Sequence, residues 1–292
     1  MVPSFIVIGA AECGTTSICD LLGTHPDVFM CSPKEPHYFS RLTSFESRRE
    51  WYESLFEGAE GALAIGEGST SYTHPHRIDF VVPRLRKYLP ECRLIYMVRH
   101  PIRRLESDWK MRWSEGRISQ PIGQATDKQA SLITFGLYWR HLSRYLEVFP
   151  DNQILVVFLE DFAAHPQGEL QRIFEHVGVD SGFVPEDPSR RRNAAIARRE
   201  LSRPARLMKR IPGVDQAKDW LPSWIGDLAK SLLTSTRRIE VQWDRTSLRA
   251  VADLFRNDSH SLLNYCGKPR DYWDLSGTLV TNVPADKEEN GN

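Results

Sequence analysis

The feature that most constrains the fold is a short apolar segment that runs directly into a glycine-bounded turn. Residues 5–8 read F-I-V-I, a composition typical of a buried strand. The turn over residues 9–16 reads G-A-A-E-C-G-T-T, and a helix is predicted to begin at Thr15 or Thr16. In this order of strand, turn and helix, the free N–H groups of the helix start point at a bound anion. The sequence therefore predicts a phosphate site at the opening turn.

The opening turn keeps only part of the nucleotide-triphosphate P-loop pattern G-x-x-x-x-G-K-[ST]. Gly9, Gly14 and Thr16 match the glycines and the hydroxyl, but Thr15 stands where the pattern has lysine. Because the lysine that holds the terminal phosphates is absent, the turn favours a 5′-phosphate site over ATP or GTP hydrolysis. A P-loop kinase that acts on a small molecule stays open as an alternative, as does an ordinary strand-to-helix turn.

Charge and composition narrow the possible partners and compartments. The chain has 38 basic and 38 acidic residues, so no overall field attracts nucleic acid. No apolar run reaches the roughly 18 residues that a membrane span needs, and no secretory signal precedes the first strand. The five cysteines form no C-x-x-C pair, which favours reduced thiols over disulfides or a zinc site. We therefore expect a cytoplasmic protein with no nucleic-acid partner, no membrane association and no metal.

Apolar runs and helical patterns alternate along most of the chain. Strands are predicted at residues 5–8, 63–65, 93–98 and 154–159, and helices at 16–22, 77–88, 102–113, 135–149 and 167–177. This alternation indicates an α/β fold with a central, mostly parallel sheet flanked by helices, whose ligands bind beyond the carboxyl ends of the strands. Further helices are predicted near residues 198–209 and 247–265. We expect one domain over residues 1–275 and a disordered tail over 276–292.

A second anion site is predicted where the strand over residues 93–98 ends. The segment that follows begins with Arg99, and Ser107 lies two turns into the predicted helix. An arginine at a strand end offers a planar fork to a phosphate, and the serine hydroxyl can support the same anion. A magnesium-dependent P-loop enzyme would have an acidic residue at this strand end to hold the metal. The pattern therefore favours direct phosphate binding.

Three segments in this order resemble the sulfotransferases that use 3′-phosphoadenosine 5′-phosphosulfate (PAPS) and release 3′-phosphoadenosine 5′-phosphate (PAP). They are G-A-A-E-C-G-T-T-S at residues 9–17, S-P-K-E-P-H-Y-F at 32–39 and V-R-H-P-I-R-R-L-E-S at 98–107. The K-E-x-H-[FY]-F pattern is most similar to the heparan-sulfate-type and bacterial small-molecule branch. The resemblance spans about residues 4–275 and implies a P-loop-containing nucleotide-hydrolase-like fold.

The resemblance also implies roles for individual residues. Glu35 corresponds to the general base, His37 to a base or an orienting group, and Lys34 to a cation that supports charge on the sulfuryl group. Residues 67–72 resemble a stretch that lines the acceptor cleft. The residues implied in nucleotide binding are Cys13, Gly14, Thr15, Thr16 and Ser17 at the 5′-phosphosulfate, Arg99 and Ser107 at the 3′-phosphate, and Arg192 and Asn193 over the nucleotide.

The main departure from the family pattern is at residue 12. Glu12 stands where related enzymes carry a catalytic lysine on the oxygen that bridges phosphate and sulfate. This residue is compatible with three explanations. It can be an engineered change, a natural variant that uses Lys34 or Arg99 as its cation, or a sign of a poorly active binding protein. The implied function is transfer of a sulfuryl group from PAPS to a hydroxyl or amine of a small molecule or sugar. The alternative is a catalytically impaired protein that binds PAP or PAPS.

Overall fold

The computed structural model describes residues 1–186, 199–201 and 234–277, and its centre is a five-stranded sheet. The strands are β1 (Phe5–Gly9), β2 (Val28–Met30), β3 (Ala64–Gly68), β4 (Arg93–Val98) and β5 (Ile154–Phe158). Their order is β2-β3-β1-β4-β5, and every neighbouring pair is parallel. The predicted parallel α/β architecture is confirmed. The additional strand, β2, is only three residues long and carries too little pattern to be recognised.

Helices cover the sheet because its strands are apolar on both sides. All five residues of β1 are buried, and successive side chains of a strand point to opposite faces, so both faces need cover. The described helices are α1 (Thr15–Leu22), α2 (Arg49–Ser54), α3 (Ile78–Tyr88), α4 (Pro101–Ser114), α5 (Ile122–Lys128), α6 (Ala130–Thr134), α7 (Tyr138–Leu146), α8 (Leu159–Ala164), α9 (Pro166–Val177) and α10 (Arg245–Tyr265). In the described part of the chain, no helix combines the length and the apolar character needed to cross a bilayer.

The later part of the chain corrects one prediction. The residues Arg199–Leu201 form a strand, β6, that pairs antiparallel with β7 (Thr234–Arg238), so the helix predicted near residues 198–209 is wrong at its start. Pairing with a distant segment overrides the local helical preference there. The helix predicted at 247–265 is confirmed as α10. It begins earlier than predicted because the Asp244 side chain caps it and accepts the Ser247 N–H at 2.8 Å.

The opening turn lies directly against the end of β4. The register between β1 and β4 shifts between Val7 and Gly9, and the Ala10 N–H then donates to the Met97 carbonyl at 2.7 Å. Gly9 has φ of 152°, and a β-carbon there would collide with Thr73. Glycine is therefore required where the turn crosses the sheet edge. This close approach brings the first predicted anion site beside the second.

Packing around β3 supports a stability prediction at Gly66. A β-carbon at Gly66 would collide with the Phe5 ring on the neighbouring strand. We expect Gly66→Ala to lower the free energy of unfolding by about 1–3 kcal/mol through overpacking. The matched control is Gly168→Ala in α9, where nothing lies within 4 Å of the new methyl group, and it should raise stability by about 0.5–1 kcal/mol. Urea unfolding of both variants tests the pair, and equal midpoints would contradict this account.

Candidate active site

A cleft of about 810 Å³ opens at the carboxyl ends of the strands. Parallel strands end at the same edge of a sheet, so segments that are distant in sequence meet there. Predicted site residues that line the cleft are Glu12, Gly14, Thr15, Thr16, Ser17, Glu35, Arg99 and Ser107. The three segments singled out in the sequence therefore meet in one place. Arg192 and Asn193 lie outside the described residues.

The turn after β1 is shaped to deliver a helix start to this cleft. Gly14 adopts a left-handed conformation with φ of 84°, and a β-carbon there would press on Leu159. Helix α1 starts directly after it, at Thr15. The N–H groups of a first helical turn have no acceptor within the helix and carry the positive end of its dipole. Thr15, Thr16 and Ser17 thus give the cleft an anion-binding end.

Cys13 lies in the opening turn but does not line the cleft. Its side chain is completely buried, and its Sγ lies 3.4 Å from the Tyr138 hydroxyl. Its N–H donates to the Ala10 carbonyl at 3.3 Å. Burial raises the pKa of the thiol to about 12, so it stays protonated. The Cys13 side chain therefore packs into the core beneath the turn, and the place of this residue at the 5′-phosphosulfate stays a prediction.

The second predicted anion site adjoins the first. Arg99 follows β4, and the backbone N–H of His100 donates to Glu160 at 2.8 Å at the point where α4 begins. The Ser107 hydroxyl donates to Oε2 of Glu12 at 2.5 Å. The Arg99 guanidinium donates to the carbonyl of Glu12 at 3.5 Å. Both groups expected at a 3′-phosphate therefore contact Glu12, a contact that the sequence did not reveal.

Glu35 enters the cleft from the segment that follows β2. Its N–H donates to the Gly68 carbonyl at 3.0 Å, which ties this segment to the end of β3. Its carboxylate accepts hydrogen bonds from Lys34 Nζ at 3.0 Å and from the Thr70 hydroxyl at 3.0 Å. Burial alone would raise the pKa of Glu35, but the Lys34 charge, these hydrogen bonds and His37 outweigh it and bring the pKa below its usual value. Glu35 is therefore ionised at neutral pH and able to accept a proton.

Lys34 and His37 contact Glu35 without lining the cleft themselves. His37 Nε2 lies 3.3 Å from Glu35 Oε2, and His37 Nδ1 lies 2.7 Å from the Ser71 hydroxyl. Burial lowers the pKa of His37 below its usual value, so the ring is neutral at pH 7. A neutral ring that donates from Nε2 to Glu35 accepts from Ser71 at Nδ1. The arrangement favours His37 as an orienting group over a second base.

The backbone around the base is held in an unusual conformation. Glu35 and His37 have φ of 61° and 55°, in the left-handed region that residues other than glycine rarely adopt. Such strain persists only where the surrounding contacts fix it, and it is concentrated at functional sites. Here the His37 N–H donates to the Ser69 hydroxyl, which itself donates to the buried Glu67 at 3.0 Å. Burial raises the pKa of Glu67 to about 7.

Two residues after β3 complete the cleft and were not singled out individually from the sequence. Thr70 holds Glu35, and His74 stacks on Phe135 with ring centres 4.5 Å apart and an interplanar angle of 16°. Burial lowers the pKa of His74 to about 4, so this wall presents an uncharged aromatic surface. The available signal was their position at the end of β3, where ligands of parallel sheets bind. Within residues 1–186 and 239–277, no group of three or more His, Cys, Asp or Glu side chains is arranged to hold a metal ion.

The protonation states predict a flat pH profile near neutrality. Glu35 has a pKa below its usual value and is ionised, and His37 has a lowered pKa and is neutral. Glu67, whose pKa is about 7, hydrogen-bonds to Tyr52, Ser69 and Tyr72 and not to either of these groups. For any reaction that needs these two states, we therefore expect kcat/KM to stay constant from about pH 8 down to about pH 6.5. Steady-state rates across this range test the prediction. An acidic limb with a midpoint above about pH 6.5 would contradict it.

Comparison of the sequence with protein families gives one assignment. A family model described as "Sulfotransferase domain" matches residues 3–194. Heparan sulfate glucosamine 3-O-sulfotransferase 3A1 of Mus musculus is 30% identical over 187 residues, which covers 61% of this chain and 46% of that protein. Carbohydrate sulfotransferase 15 of Mus musculus is 24% identical over 245 residues, covering 61% of this chain and 44% of that protein. The chain thus spans just under half the length of these relatives.

Comparison of the fold with solved structures agrees. The crystal structure of a sulfotransferase from Alicyclobacillus acidocaldarius superimposes with a TM-score of 0.68 at 22% identity, covering 94% of this chain and 99% of that one. The sulfotransferase domain from the curacin biosynthetic pathway superimposes with a TM-score of 0.53 at 15% identity, covering 92% of this chain and 99% of that one. At these identities the likeness concerns the fold alone.

Proposed function

The chain belongs to the sulfotransferase domain family, and we propose that it transfers a sulfuryl group from PAPS to a hydroxyl or amine of a sugar or small molecule. The observation that carries this proposal is the meeting of three groups in one cleft. They are the helix start at Thr15, the pair Arg99 and Ser107, and the ionised Glu35. Two anion sites and a base on one cleft suit a doubly phosphorylated sulfuryl donor and an acceptor that must lose a proton.

In the proposed reaction the two ends of the nucleotide bind to different segments. The 5′-phosphosulfate lies at the first turn of α1, and the 3′-phosphate lies at Arg99 and Ser107. The acceptor atom attacks sulfur from the side of Glu35. A bond from the acceptor to sulfur forms as the bond from sulfur to the phosphate oxygen breaks, and the acceptor proton passes to Glu35. PAP leaves with the electron pair of the broken bond.

The contacts of Glu35 suit the role of base. Thr70 and Lys34 each donate to one of its oxygens, so the carboxylate is oriented before an acceptor arrives. The side chain is 30% exposed, which leaves it accessible from the cleft. The names of the relatives, a glucosamine sulfotransferase and a carbohydrate sulfotransferase, favour a sugar acceptor. The aromatic wall of His74 and Phe135 also suits the apolar face of a ring.

Glu12 favours a second candidate, a protein that binds PAP or PAPS without transferring sulfate. A carboxylate where related enzymes carry a cation repels the phosphosulfate and does not stabilise the leaving phosphate. Both candidates predict that PAP binds, but only the transferase predicts transfer of sulfate from PAPS.

Radiolabelled PAPS separates the candidates. The chain is incubated with ³⁵S-PAPS and a panel of heparan sulfate, short sugars, phenols and amines, and released PAP and labelled product are measured. PAP binding is measured in parallel by calorimetry. Acceptor-dependent PAP release supports the transferase. Binding of PAP with no transfer to any acceptor supports the binding protein, and absence of PAP binding overturns both.

A further inference from the structure

Glu12 stands in the part of the cleft that the proposed function assigns to the 3′-phosphate. Its carboxylate accepts the Ser107 hydroxyl at 2.5 Å, and its carbonyl accepts from Arg99 at 3.5 Å. Glu12 and Ser107 are separated by 95 residues in sequence, and both line the cleft. An incoming 3′-phosphate would need the same hydroxyl, and Glu12 lies beside the guanidinium that the phosphate would also contact. The carboxylate and the phosphate therefore compete for the Ser107 hydroxyl.

The backbone of the turn holds Glu12 at this place. Glu12 has φ of 67° and precedes Gly14 at φ of 84°, so the turn is sharply bent around it. Before Glu12, the Ala10 N–H donates to the Met97 carbonyl of β4 at 2.7 Å. After Glu12, the buried Cys13 packs against Tyr138. With the backbone anchored on both sides, Glu12 can leave Ser107 only by rotation of its side chain.

A carboxylate at a nucleotide site changes which ribose substituent is favoured. Acidic side chains accept hydrogen bonds from ribose hydroxyls, whereas arginine accommodates a phosphate on the ribose. Glu12 repels a phosphate by like charge, and displacing it breaks a charge-assisted hydrogen bond to Ser107. A free 3′-hydroxyl is not repelled by Glu12 and need not displace it, because the hydroxyl can donate a hydrogen bond to the carboxylate.

We propose that Glu12 is a specificity-determining residue that cancels the preference for a 3′-phosphate on the bound nucleotide. The inference rests on the proposed function, since it assumes that the cleft binds an adenosine 5′-phosphate. In this protein, adenosine 5′-monophosphate (AMP) binds about as tightly as PAP, because the attraction of the 3′-phosphate to Arg99 and Ser107 is offset by the cost of expelling Glu12. Removing the carboxylate restores the preference for PAP.

Calorimetry with AMP and PAP on the full chain tests the proposal. For the chain as it stands, the two dissociation constants should agree within about threefold. Glu12→Gln keeps the shape of the side chain and removes its charge, and Glu12→Ala removes the group. Each should tighten PAP binding by about 10- to 100-fold, the range of a charge-assisted hydrogen bond, and change AMP binding by less than about threefold. Melting temperatures confirm that the variants fold.

Two further variants sharpen the test. Glu57→Gln is the matched control, since Glu57 is exposed and does not line the cleft, and it should change neither constant. Ser107→Ala should weaken PAP binding in the Glu12→Ala background by about tenfold and have a smaller effect alone, because only without an acceptor at position 12 is the hydroxyl fully available to the phosphate.

The outcomes separate this inference from the proposed function. If the unchanged chain binds PAP more than about tenfold more tightly than AMP, and Glu12→Gln leaves that ratio as it was, the inference is overturned while the nucleotide site stands. If neither nucleotide binds the chain or any variant, the proposed function fails and the inference fails with it.

Discussion

Replacing Glu35 with glutamine is expected to lower kcat for sulfuryl transfer by about 10²- to 10⁴-fold, the usual contribution of a general base. Glutamine keeps the size of the side chain and its capacity to accept from Thr70, but it cannot take the acceptor proton. The affinity for PAP should change little, because the nucleotide contacts assigned to residues 14–17, Arg99 and Ser107 are untouched. Initial rates with ³⁵S-PAPS and the best acceptor of the panel, together with calorimetry for PAP, measure the two effects separately.

Glu57→Gln serves as the matched control for this variant. It is the same chemical change at an exposed glutamate outside the cleft and should leave kcat unchanged. A Glu35→Gln protein that turns over within about threefold of the unchanged chain would remove Glu35 from the role of base and leave His37 as the next candidate.

Replacing Glu12 with lysine is expected to raise kcat by about 10²- to 10³-fold, the effect that one well-placed stabilising group has on a developing oxyanion. The substitution removes a carboxylate that repels the phosphosulfate. It also adds a cation where related enzymes hold the oxygen that leaves with the phosphate. The comparison with Glu12→Gln separates these contributions, since glutamine removes the negative charge without supplying a positive one. Single-turnover rates at saturating PAPS report the chemical step directly.

Glu57→Lys provides the matched charge reversal outside the cleft, and it should not change the rate. A fall in kcat on Glu12→Lys would show that Glu12 belongs to a working site that uses another cation, with Arg99, which donates to the Glu12 carbonyl at 3.5 Å, as the nearer candidate and Lys34 as the other. A rise restricted to nucleotide affinity, with kcat unchanged, would confine Glu12 to binding.

Much of the fold could be predicted because its signals are local. The buried strands β1, β4 and β5 are continuous apolar runs, and each is followed by a segment with helical spacing. The start of α7 could not be predicted in the same way. Its first N–H groups, on Trp139 and Arg140, donate to Asp258, which lies more than 100 residues away on α10. Nothing near residue 138 marks this boundary.

The candidate site, too, could be predicted only where its signals are local. The opening turn, Glu35 and Arg99 stand in short motifs whose chemistry can be read without a structure. The bond between Ser107 and Glu12 depends on how β1 and β4 lie against each other, and no periodicity reports a contact over 95 residues. The packing of the Cys13 side chain against Tyr138 could not be predicted from the phosphate-binding motif either, because these residues are 125 positions apart.

The order of the sheet has a consequence for how this scaffold can diversify. β1 is central, with β4 on one side and β3 on the other. Arg99 and Ser107, which we propose to hold the donor, follow β4, whereas Thr70 and His74, on the proposed acceptor side, follow β3. Substitutions in the segment after β3 can therefore leave the pairing of β4 with β1 unchanged, and the reverse also holds. Under the proposed function, substitutions in the segment after β3 would change the preferred acceptor while the residues proposed for the donor stay in place.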